Sequence, residues 1–284
     1  MVLVILAALC VAAFAVIFRY FKRFGVPLFP AITVNYFIAF CFGLAIHPPW
    51  RSGDVSLLWM PSALLGTLFV TIFSLTGLSA QRAGAARTTI AGRMSLVLTV
   101  LGMVVIFHER LRPLTIAGIC IALVGLVLTT ASTRGSTEKR SWLLPMLIFL
   151  GSGAADIGVS AAQRVRTTSL NEAAFTTMCF GGASLVSGIV LFVRRQHVQL
   201  GDRRAWIGGI VLGVVNYASL LFLILALGQG DLPASSIFPL MNIAAILFAT
   251  IAAIVLFKER LSVRQWIGIA CCILALVLIM SPSA

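Results

Sequence analysis

A helix that crosses hydrocarbon needs about 20 consecutive apolar residues, and in lipid every backbone group must be bonded within its own segment. This chain consists almost wholly of such runs, at 2–18, 28–46, 57–79, 85–107, 114–131, 142–162, 173–193, 206–227, 233–257 and 263–280, with short polar turns between them. Sixty per cent of the 284 residues are hydrophobic and 10% are charged, where a soluble domain is nearer a quarter charged. The sequence therefore predicts an all-α membrane protein with ten transmembrane helices. It leaves no stretch for a soluble catalytic domain.

The ten runs fall into two sets. Phe107-His108-Glu109-Arg110-Leu111 ends the fourth run and Phe257-Lys258-Glu259-Arg260-Leu261 ends the ninth, 150 residues later. At that offset Val105 matches Val255, Gly118 matches Gly268, Ile119 matches Ile269, and Leu126-Val127-Leu128 matches Leu276-Val277-Leu278. This is an internal repeat. Residues 1–131 form the first five-helix set, 132–141 a polar linker, and 142–284 the second set. An odd number of helices per set forces the two halves into opposite orientations, the inverted-repeat plan of many secondary transporters.

The net charge of +13 would suggest nucleic acid in a soluble protein. Here Lys and Arg stand between apolar runs, where they face anionic headgroups, so the bilayer and not nucleic acid is the expected partner. Of the 21 Lys and Arg residues, 15 lie in the turns after odd-numbered helices and five in the turns after even-numbered ones. The positive-inside rule then makes the odd turns cytoplasmic and places both termini outside. Trp59, Trp142, Trp206 and Trp266 mark span starts as an interfacial belt. Gly209-x-x-x-Gly213 and Gly151-x-x-x-Ala155 put small residues on one helix face, for packing within the chain or in a dimer, so a monomer or homodimer is expected. All six cysteines lie inside apolar runs and act as small apolar side chains. The first run lacks a basic lead and a cleavage site, and reads as a span and not a signal peptide.

Two ionisable side chains lie inside spans. Asp156 stands about 20 Å from Trp142 by helical rise. A charge at that depth costs at least about 3 kcal/mol, so it must face a partner or a wet cavity. Its protonation depends on that surrounding, which makes it the candidate proton-coupling residue; the alternative is a structural ion pair. Arg93 is the matching cation, able to hold a carboxylate or phosphate through its forked donors, to pair with Asp156, or to reach the interface about 12 Å away. Asn35, Asn216 and Asn242, with Tyr36 and Tyr217 beside two of them, are further candidates for binding substrate. The amides can equally join helices. Glu109 and Glu259 stand at helix ends and read as caps of the helix that follows each turn. They mark the repeat and do not perform transport.

Enzyme signatures are missing. His108-Glu109 is followed by Arg112 where a zinc protease needs its second His, and the three histidines lie in three separate loops, so no metal is expected. Gly151-Ser152-Gly153 has no span histidine to activate the serine. No nucleotide-binding loop occurs, no cofactor is expected, and transport must draw on a gradient.

Two five-helix halves, each with a Glu-containing turn before its fifth helix and a glycine within that helix, resemble the drug/metabolite transporter superfamily, in particular proteins with two EamA-type domains. The residues carrying the resemblance are Phe107 to Leu111 with Gly118, Phe257 to Leu261 with Gly268, and Ala234-Ser235-Ser236-Ile237-Phe238-Pro239-Leu240. The first half departs from the pattern: it reads Ala91-Gly92-Arg93-Met94-Ser95 where the second has Pro239. The resemblance implies a secondary carrier in the cytoplasmic membrane of a bacterium. Through a central cavity it would move amino acids, other small metabolites or drugs, commonly outward, by alternating access with or without proton coupling. It also implies termini in the cytoplasm, opposite to the loop charge. The alternatives are a multidrug carrier for lipophilic cations and, from another class, a membrane enzyme acting on a lipid-borne substrate. A channel would need a ring of like residues, which the unrepeated Asp156 and Arg93 do not give.

Overall fold

A computed structural model describes residues 2–46, 48–51, 56–95, 97–98, 101–102, 113–130, 142–166, 171–228 and 234–280. Among the described residues the long α-helices follow in chain order: α1 (Val2–Phe24), α2 (Leu28–Ile46), α3 (Trp59–Arg82), α4 (Ala85–Met94), α5 (Pro113–Thr130), α6 (Leu143–Arg166), α7 (Asn171–Val193), α8 (Arg203–Gly228), α9 (Ala234–Phe257) and α10 (Val263–Met280). Among the described residues every regular element is a helix, and the protein is an all-α, multi-pass membrane protein of two five-helix halves.

Several helices outrun their apolar cores. α1 continues through Arg19-Tyr20-Phe21-Lys22-Arg23, and α6 through Gln163-Arg164-Val165-Arg166, both read from sequence as turns. Long basic side chains tolerate helix well and keep their charges at the interface while the backbone stays bonded. The fourth span differs more. α4 ends at Met94 and Ser95 stands in a turn, although helical backbone returns at 97–98 and 101–102. The Ser95 hydroxyl donates to the Gly92 carbonyl at 2.7 Å, the local competition by which serine disturbs a helix. The remainder of the expected span, with Glu109, lies outside the described residues.

Most of the contacts between the halves are related by their exchange. α1 packs on α8 and α9, and its counterpart α6 packs on α3 and α4; α2 packs on α8, and α7 on α3. The pairs α2–α7, α4–α9 and α5–α10 map onto themselves and so lie along the pseudo-twofold axis. An inverted repeat has this contact pattern. The two small-residue motifs serve contacts within the chain. A Cβ on Gly209 or Gly213 would stand 2.7 Å from the Ala31 carbonyl oxygen or 2.9 Å from that of Asn35, and one on Gly151 would stand 3.0 Å from Ile72. Close approach of α8 to α2 thus depends on the missing side chains. Gly209→Leu is expected to lower stability by about 1–3 kcal/mol through overpacking, seen as a lower unfolding temperature in detergent.

Turns after α1, α3 and α9 meet on one face of the bundle. Lys22 donates to the Gln81 carbonyl at 3.1 Å, and Arg19 lies 3.2 Å from Glu259. Arg204, at the start of α8, reaches the Phe24 carbonyl at 3.4 Å. The described turns after α1, α3, α7 and α9 therefore share a side, as alternating spans require, and that side is basic.

Candidate functional site

α4 is the element that positions the site. It starts at Gly84, with φ 98 and ψ 159, a conformation open essentially to glycine alone. Thr88 bonds back to the Gly84 carbonyl at 2.8 Å and shares a 2.8 Å hydrogen bond with Ser79 of α3, which fixes the helix in the first half. Two turns on, Arg93 donates from Nη1 to Asn242 Oδ1 of α9 at 3.1 Å. Arg93 and Asn242 each lie eight residues, about 12 Å, into their helices. Since α4 and α9 enter from opposite faces, the bond joins the halves at middle depth.

Asp156 of α6 completes the group. Its Oδ2 lies 3.1 Å from Ser95 Oγ, and its charge acts on the partly buried Arg93 guanidinium. The burial pattern of α6 shows where it faces. Met146, Leu147, Leu150 and Ala154 are exposed on the lipid side, whereas Pro145, Ile148, Phe149, Gly153 and Ala155 are buried. Asp156 is four, seven and eleven residues beyond Ser152, Phe149 and Pro145, on their inward face at helical spacing, yet it is itself exposed. Asp156 is thus exposed although its face of α6 is turned into the protein.

Three of the sequence candidates, Arg93, Asn242 and Asp156, therefore converge. The others do not join them. Asn216 donates from Nδ2 to Asn35 Oδ1 at 3.2 Å, tying α8 to α2, and Asn35 is fully buried. Its own Nδ2 has no hydrogen-bond partner among the described residues. Tyr36 packs between Phe73 and Phe180, at ring separations of 5.8 and 6.3 Å, and Tyr217 stacks on Phe42 at 5.6 Å. These four residues join helices in the core. Ser95, buried to 2% exposure, was not among the candidates; its one sequence signal was its place in the Ala91 to Ser95 departure from the second half.

Glu259 does not cap the helix that follows it. α10 begins with a reciprocal box: the Ser262 N–H donates to Gln265 Oε1 at 2.9 Å while the Gln265 N–H approaches Ser262 Oγ at 3.4 Å. The Glu259 carboxylate crosses instead to the first half. It accepts the Ala85 N–H at the start of α4 and forms an ion pair with Arg19 of α1 at 3.2 Å. That ion pair is not directed as a hydrogen bond on Oε1. Arg19 also lies over the Phe257 ring, 5.2 Å from its centroid.

Burial pushes the Glu259 carboxyl above its ordinary value, against the pull of Arg19, the Ala85 N–H and Arg87. A carboxyl whose folded value is raised contributes most below its unfolded value, near 4.5, and that contribution is lost as pH rises through the folded value. The unfolding temperature of the wild type is therefore expected to fall as pH rises from about 4.5 toward neutrality. Glu259→Gln should give a flatter profile in the same thermal scans.

Comparison with known proteins agrees with this architecture. Residues 1–131 and 142–281 each match the EamA-like transporter family. A protein of Haemophilus influenzae described as uncharacterized is 31% identical over 275 residues, covering 93% of this chain and 92% of its own. A crystal structure of a protein with 17% identity superimposes over 97% of this chain and 98% of that one with a TM-score of 0.58. That likeness establishes the shared fold.

Proposed function

Since the chain belongs to the EamA-like transporter family through both its halves, and so to the drug/metabolite transporters, we propose that it is a secondary carrier of small metabolites bearing a carboxylate, such as amino acids, in a bacterial cytoplasmic membrane. The observation carrying this reading is the midplane group in which Arg93 of the first half meets Asn242 of the second beside the exposed Asp156. A guanidinium has five N–H donors in a planar fork suited to a carboxylate. With one donor on Asn242, others can turn to a ligand.

The site lies between repeats, where inverted-repeat carriers bind substrate and rock one half against the other. On the basic face, Glu259 and Arg19 tie the second half to the first, so this contact must break when that face opens. Positive charge assigns the basic face to the cytoplasm. Counterflow in proteoliposomes tests the carrier reading: vesicles preloaded with an unlabelled amino acid should transiently accumulate its labelled form. Equilibration without overshoot across a panel of amino acids and organic acids would contradict it.

A further inference from the structure

We propose that the turn between α7 and α8, together with the α1–α2 turn beside it, binds the headgroup of an anionic phospholipid on the basic side of the membrane, with an acyl chain of that lipid laid along the outer face of α7. The inference stands on a different part of the molecule from the carrier reading and does not depend on it.

Between Val193 and Ala205 the sequence places Arg194, Arg195, Arg203 and Arg204 against one acidic residue, Asp202, and all five are exposed. Asp202 Oδ1 accepts the Arg204 N–H at 2.8 Å, so its carboxylate caps the start of α8. Among the described residues none of the four arginines forms an ion pair. Two of them are held against the first half. Arg204 Nη1 reaches the Phe24 carbonyl at 3.4 Å, and the Arg194 guanidinium lies over the Phe29 ring, 5.6 Å from its centroid. Guanidiniums from both ends of the second-half turn thus converge on residues 24–29 of the first half, where Arg23 adds a further exposed cation.

Cations gathered in this way repel one another, more strongly where the membrane lowers the dielectric. Elsewhere on this face Glu259 offsets such repulsion for Arg19 and Arg87. At the α7–α8 turn no side chain among the described residues does so, and an anion from outside the chain fits the place. A guanidinium stacked on a ring still presents N–H donors at its edge, and Arg204 has others besides the one on Phe24. Such planar donors suit phosphate oxygens.

The apolar surroundings select a lipid over a free phosphate. Leu185, Ile189 and Phe192 are exposed on one stripe of α7, at spacings of four and three. Gly188 lies on the same stripe, and nothing stands within 4 Å of a Cβ added there, so the stripe is hollowed at its middle. The stripe leads to the charged turn, because Phe192 stacks on His197 of that turn with ring centroids 5.1 Å apart. A hydrocarbon groove that ends among guanidiniums matches a phosphodiester headgroup carrying no ammonium of its own. A zwitterionic headgroup brings its own cation and gains less.

The test titrates the full chain in detergent micelles with phosphatidylglycerol or with phosphatidylcholine of the same acyl chains, counting bound lipid by native mass spectrometry and following the unfolding temperature. Phosphatidylglycerol should bind about tenfold more tightly and raise the unfolding temperature further, since a ligand of the folded state stabilises it. Arg194→Gln combined with Arg204→Gln should remove that preference. Arg260→Gln combined with Arg264→Gln takes two exposed cations from the same face and should leave it unchanged. Gly188→Leu fills the hollow and should weaken both lipids alike. Unfolding temperatures without lipid show that each variant is folded. Equal binding of the two lipids by the wild type overturns the proposal, and so does an equal loss of preference in the Arg260 and Arg264 pair, which would reduce the turn to general surface charge. Displacement of phosphatidylglycerol by an equal concentration of glycerol 3-phosphate, which lacks the chains, would overturn the lipid in favour of a free phosphate.

Discussion

Arg93→Gln is expected to lower the transport and binding of carboxylate-bearing compounds by about 100-fold, while a neutral analogue of the same shape loses little. A charge-assisted hydrogen bond contributes about 1.5–3 kcal/mol, and a bidentate pair lies at the upper end, which corresponds to about two decades in affinity. Glutamine retains a donor for Asn242, so the bond across the halves, now 3.1 Å from Nη1 to Oδ1, has a substitute and the fold survives. Arg93→Lys should recover the charge but not the forked geometry and fall between the two. Dissociation constants for an amino acid and its amide, measured on the three proteins, check the expectation. Equal loss for both ligands would show that Arg93 only holds α4 to α9.

Gly84→Ala is the second large effect. Its φ of 98 and ψ of 159 lie where a side chain costs about 1–3 kcal/mol. The added Cβ would also stand 2.8 and 2.9 Å from the two carboxylate oxygens of Glu259, so the carboxylate must leave the start of α4. The variant should therefore lose stability and also lose the pH dependence assigned to Glu259. Gly188→Ala is the control, because nothing lies within 4 Å of the new atom; it should stay within about 0.5 kcal/mol of the wild type. Thermal scans of both variants across pH give the comparison. Gly84→Ala behaving like Gly188→Ala would mean that Glu259 does not depend on this corner. α4 carries Arg93 two turns beyond Gly84, so the corner held by Glu259 belongs to the same rigid element as the substrate site.

The fold was legible because the bilayer reduces the problem to counting. Apolar runs of spanning length give the helices, and the 150-residue offset between Glu109 and Glu259 gives the halves. The ends were less legible, since Arg19 to Arg23 and Gln163 to Arg166 are as compatible with helix as with turn. The break at Ser95 was hidden because apolar residues continue past it, while the cause is one hydroxyl on the Gly92 carbonyl.

Arg93 and Asp156 stood out because charge in a span is costly wherever it lies. Their partners did not. Arg93 meets Asn242 across 149 residues, and Asn35 meets Asn216 across 181. An asparagine in a span has the same composition signal whether it binds a ligand or a second helix. Glu259 was readable as a capping carboxylate, but which helix it caps is a tertiary fact. Ser262 and Gln265 already serve α10, which leaves Glu259 to serve α4.

Ligand-dependent thermal stability separates a carboxylate site at Arg93, between the halves, from a scaffold role for that residue. Amino acids, organic anions, nucleotide sugars and lipophilic cations would be added to the purified protein and to Arg93→Gln at two pH values. A ligand that binds the folded state alone stabilises it by about 2.7 kcal/mol at a hundredfold excess over its dissociation constant. A carboxylate-bearing class should raise the unfolding temperature of the wild type and leave Arg93→Gln unmoved. Stabilisation by lipophilic cations alone, abolished by Asp156→Asn and indifferent to Arg93→Gln, would contradict the carboxylate site and make Arg93 part of the scaffold.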